Sequence, residues 1–130
     1  MIVDSSALVA ILKNEPGWET YLEIIHSAQI ARLSAASYLE ISLVMDKEQD
    51  AIARVGLDDL IAESRITIEP VTEEQARIGR QAYRDFGKGR GHKAALNFGD
   101  CFSYALAKDK REPILFKGGD FNHTDLDAAV

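Results

Sequence analysis

Three carboxylates in this 130-residue sequence stand where folding alone explains them poorly. Asp4 ends the short apolar start Met1-Ile2-Val3. Glu40 lies inside Ala35-Ala36-Ser37-Tyr38-Leu39-Glu40-Ile41-Ser42-Leu43-Val44-Met45, where apolar residues occupy nearly every helical face. That helix is expected to be buried, so its glutamate must pair or hold a cation to offset desolvation. Asp100 follows Asn97-Phe98-Gly99 at the head of another helical stretch.

Each acid also has a plainer reading. Asp4 could cap the helix begun by Ser5-Ser6-Ala7, and Asn97 to Asp100 has the spacing of a capping box. Glu40 could lie on a narrow solvent-facing stripe with Ser37 and Val44. Capping explains neither why Asp4 and Asp100 both fall at element corners nor why Glu40 is mid-helix. A shared site for a hard divalent cation such as Mg2+ or Mn2+ accounts for all three, because such ions take oxygen ligands and leave positions for water and phosphate. Asp120, in Gly118-Gly119-Asp120-Phe121, is a fourth candidate. Asp125 and Asp127 read better as part of a solvated C-terminal segment.

Other chemistries fit less well. His26, His92, His123 and the single Cys101 are scattered without zinc-site spacing. Gly87-Lys88-Gly89-Arg90-Gly91 follows a helical stretch rather than a strand, so it is not a phosphate loop of the P-loop kind. Ser5 and Ser6 lack a nucleophile-elbow pattern. Cys101 reads as a buried thiol. Net charge is −6, yet residues 77–93 carry Arg77, Arg80, Arg84, Lys88, Arg90 and Lys93 against Asp85 alone. That segment is +5 and the remainder −11, so a basic stripe that could meet phosphates accompanies an acidic cluster that cations could neutralise. The plainer reading of the stripe is a solvated helix face.

These side chains need a frame to position them, and the pattern supplies one. Strands are expected at 2–4, 30–33, 65–69 and 113–116. Helices are expected at 5–13, 18–27, 35–45, 51–64, about 72–86 and 97–108. Thr72 serves as an N-cap with Gln75 three residues on. Ile52, Val55, Leu57, Leu60 and Ile61 repeat with a helical period. Alternating strands and helices predict an α/β fold, a short central parallel sheet flanked by helices, in one domain spanning 1–130. Ligands of such sheets bind at the carboxyl ends of the strands, where Asp4 and Asp120 fall. A balance of 46% hydrophobic and 28% charged residues is that of a globular chain. The lone cysteine, the absence of an apolar run long enough to span a bilayer and the lack of a leader pattern suggest a cytoplasmic protein with no membrane association.

Taken in order, these segments resemble PIN-domain ribonucleases, in particular the VapC-type toxins of type II toxin–antitoxin modules. The resemblance rests on Met1-Ile2-Val3-Asp4-Ser5-Ser6-Ala7, Glu40 in its apolar helix, Gly87 to His92 leading into Leu96-Asn97-Phe98-Gly99-Asp100-Cys101-Phe102-Ser103-Tyr104-Ala105-Leu106-Ala107, and Phe116-Lys117-Gly118-Gly119-Asp120-Phe121. It covers essentially the whole chain. It implies a PIN-like domain with Asp4, Glu40 and Asp100 as metal-binding acids, Asp120 as the usual fourth catalytic acid, and Mg2+, or Mn2+ as alternative, as cofactor. It also implies an RNA substrate, with Ser6, Arg90, His92 and Lys93 contacting it. Partners would be a cognate VapB-type antitoxin, whose tail lies over the active-site groove with a basic residue toward the acids, and a second copy of the chain. A helix face carrying Leu8, Ile11, Leu12 and Trp18 agrees with a homodimer. One departure is that Lys117 and Gly119 stand where many relatives carry a polar residue or a further acid. Two other functions compete: a non-catalytic PIN-like module that binds RNA or protein, and a receiver-type signalling domain, which would want paired acids where Ser5-Ser6 stand.

Overall fold

The computed structural model describes residues 1–47, 51–89 and 91–129, with the side chains of 51–55 left aside. The elements run β1 (Ile2–Val3), α1 (Ser5–Leu12), α2 (Trp18–Ser27), β2 (Ala31–Ser34), α3 (Ala35–Lys47), α4 (Ala51–Glu63), β3 (Ile66–Glu69), α5 (Glu73–Phe86), α6 (Phe98–Lys110) and β4 (Ile114–Leu115). Every expected element is present, with ends displaced by one or two residues. Thr72 caps α5 by accepting from the Gln75 amide, as its position predicts, but the Gln75 side chain reaches Asp109 instead of turning back.

The four strands form one sheet in the order β3-β2-β1-β4, and every pairing is parallel. Ile2 pairs with Ile114 and Val3 with Leu115. Because successive side chains of a strand point to opposite faces, Ile2 and Ile114 enter one core and Val3 and Leu115 the other. The Val3 side is filled by Leu8 and Ile11 of α1, Ile25 of α2, Ile41 and Met45 of α3 and Leu57 of α4. The Ile2 side is filled by Ala82 of α5, Tyr104 and Leu106 of α6, and Phe121. Leu60 and Ile61 pack against the first core as their period requires, while Ile52 and Val55 lie outside the described side chains.

Two expectations about helix faces are corrected. In α3, Ser37, Ile41 and Met45 are the buried line, whereas Glu40 is exposed and Leu39 and Leu43 are 58% and 54% exposed. An apolar composition does not oblige burial, since much of any protein surface is apolar. Ser37 is enclosed rather than solvent-facing because its small side chain admits α6. In the first helical pair, Leu8 and Ile11 are buried and Leu12 and Trp18 pack against the chain's own core. That face is consumed internally and lends no support to a dimer.

The C-terminal segment is likewise more than a solvated tail. The Ile114 amide donates to the Asp127 carbonyl and the Ala129 amide to the Ile114 carbonyl, an isolated bridge along the free side of β4. The order of connections turns at β1: the chain passes from β1 outward to β2 and β3, then returns to the opposite side of β1 as β4. In open parallel sheets this reversal leaves a crevice at the strands' carboxyl ends. Here Asp4 leaves β1 and Lys117 to Asp120 leave β4 at that crevice.

Candidate active site

A pocket of about 520 Å3 opens at this crevice, lined by Asp4, Glu15, Glu40, Asp100 and Asp120 among its acids and by Lys117 as its basic residue. The structure therefore brings together all four acids singled out from the sequence. Glu15 is an addition, and it is spoken for: Lys117 Nζ donates to its Oε1 at 2.9 Å.

Asp4 is buried and held on both oxygens. It is the N-cap of α1, where Oδ2 accepts from the Ser6 amide at 3.0 Å and from Ser6 Oγ at 2.6 Å. Oδ1 accepts from Ser103 Oγ at 2.6 Å. Since the Ser103 proton is committed to Asp4, Ser37 Oγ, 3.4 Å away, is the donor of that second contact. Two buried serines thus run in series into the carboxylate. Ser6 Oγ in turn accepts from the Lys117 amide at 2.9 Å, which ties the loop after β4 to the start of α1. Capping and pocket lining are compatible for Asp4, because each carboxylate oxygen has two lone pairs.

Asp100 also combines the two roles. Its amide donates to Asn97 Oδ1 at 2.9 Å and its Oδ2 accepts from the Asn97 amide at 3.0 Å, the reciprocal capping box that the spacing predicts. Oδ1 has no part in that box. Glu40 stands on α3 across the pocket; its Oε1 accepts from Ser5 Oγ at 2.8 Å and its carboxylate rests against Gly99.

The electrostatics are those of crowded like charges. Burial pushes the Asp100 carboxyl up to about 7, helped by the charges of Asp4 and Asp120 and by a hydrogen bond between the Asp100 and Asp120 carboxyls, and opposed by the Asn97 amide. Among the described residues, no three His, Cys, Asp or Glu side chains close on one point. The acids ring a pocket, which suits an ion that keeps part of its water shell.

The remaining expectations fall elsewhere. Ser6 lines the pocket with its hydroxyl engaged on both sides as described. His92 and Lys93 are exposed on the loop before α6 and do not line the pocket; His92 Nδ1 accepts from the Ala94 amide and its ring meets Phe86 edge-on. Arg90 lies outside the described residues. Within the basic stripe, Arg77 pairs with Glu73 on an open helix surface, as a solvated face would. Asp125 is remote and structural, accepting from Tyr104 Oη at 2.6 Å and Lys108 Nζ at 2.7 Å. Cys101 is buried, and burial with the Asp100 charge pushes its thiol up, away from the reactive thiolate.

Sequence reasoning missed Ser103, Ser37, Asn97 as a pocket wall, and Gly99. Ser103 had a usable signal, because it follows Asp100 by three residues and shares its helix face. Replacing it tests the arrangement. Ser103→Ala leaves a buried carboxylate oxygen short of a donor, which costs about 1–3 kcal/mol. We expect metal affinity or activity to fall about 10–100-fold, the usual effect of removing a group that orients a ligand. Thermal melting and cleavage rate, measured side by side, check this.

Comparison with known proteins agrees with the geometry. The PIN domain family model matches residues 1–126. Ribonuclease VapC28 of Mycobacterium tuberculosis is 54% identical over 130 residues, covering 100% of this chain and 98% of its own. Ribonuclease VapC42 of the same organism is 45% identical over 127 residues, covering 97% and 96%. Among solved structures, M. tuberculosis VapC20, described as a sarcin-ricin loop cleaving toxin, superposes with a TM-score of 0.74 at 19% identity, covering 96% of this chain and 95% of that one. A toxin–antitoxin complex from Klebsiella pneumoniae superposes with a TM-score of 0.69 at 16% identity, covering 95% and 92%. A match along nearly the whole length, with relatives of this identity covering the chain end to end, places it in the PIN-domain family and, within that family, among the VapC ribonucleases.

Proposed function

We propose that the chain is the toxin of a type II toxin–antitoxin pair and hydrolyses RNA phosphodiester bonds with Mg2+ or Mn2+ held by Asp4, Glu40 and Asp100, with Asp120 as the fourth acid. One observation carries this reading. Among the described residues, four carboxylates line a single pocket with no free cation between them, and Lys117 on its wall is already paired with Glu15. The donor set fits such an ion: every donor is a hard oxygen, and burial, with the charges of Asp4 and Asp120 beside it, holds the Asp100 carboxyl well above the usual carboxylate range, a cost that a bound cation would offset.

When bound, the divalent ion lowers the pKa of a water and offsets charge on the phosphate. The chain's own groups do the positioning. Ser103 and Ser6 fix the plane of the Asp4 carboxylate, and Ser5 orients Glu40 toward the pocket. Asp100 is anchored by its capping box on Oδ2, so Oδ1 is not tied to the backbone and would turn to a cation together with Asp120. The pocket's acids would repel RNA until a cation neutralised them, so substrate binding should depend on the metal. His92, Lys93 and Arg90 would contact phosphates flanking the cut, and Ser6 the nearer one.

A VapB-type antitoxin fits the same pocket from the protein side. A basic side chain of its tail placed among these acids would compete with the metal. A homodimer and a cytoplasmic location are what the family resemblance implies; no described helix is long and apolar enough to cross a membrane.

The test is cleavage of labelled RNA by the purified protein with Mg2+ or Mn2+, with EDTA, and with an Asp4→Asn control. Metal-dependent cutting that is lost in the control is expected. Cutting that persists undiminished in EDTA would sink the assignment. In the same preparations Mn2+ is expected to raise the melting temperature, since it binds the folded state and relieves the carboxylate repulsion.

A further inference from the structure

We infer that Gly99 is a positioning residue for catalysis: the missing side chain at this helical position is the seat of the Glu40 carboxylate. The inference rests on the reading of Glu40 as a metal-binding acid. Gly99 lies in the first turn of α6, one residue before Asp100, and it is absent from the glycines of positive φ, Gly17, Gly89, Gly91 and Gly118. Its backbone is ordinary helix, so no turn requires glycine there. Alanine would favour the helix more.

The three atoms nearest to a Cβ built at Gly99 all belong to the Glu40 carboxyl group, Oε2, Cδ and Oε1, and Oε2 falls well inside contact distance. The atoms a methyl group would meet first are those of that carboxylate. Glu40 reaches this place from α3, 59 residues earlier in the chain, and its other anchor is the single hydroxyl of Ser5. The α6 N-terminus and the Ser5 hydroxyl therefore form two walls of a slot, and Gly99 sets its depth. The N-terminus of a helix also carries partial positive charge, which favours a carboxylate resting there.

The consequence separates stability from function. Glu40 is exposed and its side chain has rotatable bonds to turn about, so a methyl group at Gly99 drives its carboxylate outward into solvent without disturbing the core. The fold survives and the metal loses one of its oxygens. We expect Gly99→Ala to melt no lower than wild type without metal, to lose most of the Mn2+-induced rise in melting temperature, and to cleave RNA about 10²-fold more slowly, the order expected for a catalytic group displaced by about 1 Å. Because Gly99 acts only through Glu40, the double variant Gly99→Ala/Glu40→Ala should show no smaller Mn2+-induced rise than Glu40→Ala alone.

Three variants decide the matter: Gly99→Ala, Glu40→Ala and the double, each followed by thermal melting with and without Mn2+ and by RNA cleavage. A Gly99→Ala chain that folds, takes up Mn2+ and cleaves like wild type overturns the inference, provided Glu40→Ala is inactive. If Glu40→Ala itself retains full Mn2+ response and activity, the reading of Glu40 has failed instead. Should Gly99→Ala fail to fold, the double variant, which has no carboxylate to collide with, is expected to fold again; if it does not, the methyl group clashes elsewhere and the inference falls.

Discussion

Glu40→Gln is expected to lower RNA cleavage by at least ~10³-fold, about 4 kcal/mol of transition-state stabilisation, while melting within a few degrees of wild type. The expectation follows from where Glu40 lies. The residue is exposed on the pocket face of α3, and its hydrogen bond comes from Ser5 Oγ. The amide is nearly isosteric and its oxygen can still accept from Ser5, so the folded state loses almost nothing. What disappears is the negative charge, and a neutral amide is a poor ligand for Mg2+ or Mn2+. The contrast with Ser103→Ala is informative, because that substitution should damage stability and activity together through a buried carboxylate. Steady-state cleavage and thermal melting of Glu40→Gln read both halves. A variant that cuts at the wild-type rate removes Glu40 from the site.

Metal removal is expected to invert the pH dependence of stability. The Asp100 carboxyl is raised in the folded chain from 3.8 to about 7, chiefly by burial and further by Asp4 and Asp120. Between about pH 4 and 7 the folded, metal-free chain therefore holds a proton that the unfolded chain has released. The associated stability is complete below the unfolded value and is lost as pH rises through the folded one, with a slope of at most about 1.4 kcal/mol per pH unit. In EDTA, the melting temperature should fall across this window on account of Asp100. Asp100→Asn, which retains an oxygen for the Asn97 amide, should abolish that fall and melt higher than wild type at pH 8. With saturating Mn2+ the sign changes, because the ion binds the deprotonated carboxylate. The metal-induced rise in melting temperature should then grow with pH toward 7, and cleavage should decline below it. A melting profile insensitive to Asp100→Asn would show that this carboxyl is not the group strained by its neighbours.

Both expectations reflect an economy in the site. Asp4 and Asp100 are helix caps and pocket acids at once. Capping holds each carboxylate at a loop-to-helix corner with backbone donors, which fixes its orientation without spending a separate scaffold on it. The burial and crowding that raise the Asp100 carboxyl are then a stability cost that a metal-binding role would explain. Glu40 carries no such structural duty, and this is why its removal should separate activity from folding most cleanly.

Much of this was legible from local pattern. The hydrophobic periods and the Thr72 and Asn97 caps located every element, and the strand–helix alternation implied the parallel sheet, because these depend on neighbours within a turn or two along the chain. That Asp4, Glu40, Asp100 and Asp120 would come together was also anticipated, and they line one pocket, though Glu40 was singled out on an expected burial that the structure does not show. Burial was not. Glu40 and Ser37 lie three residues apart on one helix, and only the packing of α6 against α3 decided that Ser37 is enclosed and Glu40 open. The face of α1 and α2 that looked available to a second copy proved to be core, since hydrophobic pattern marks a buried face without saying what buries it. Contacts across long separations, Ser103 to Asp4 over 99 residues and the Lys117 amide to Ser6 over 111, have no trace in spacing. Gly99 is the sharpest case: along the chain it is a helix-weakening glycine, and only the arrival of Glu40 from another helix explains why no side chain stands there. Chain-local energetics determined the elements and the supply of acids; the closure of the sheet around β1 determined which oxygens face one another.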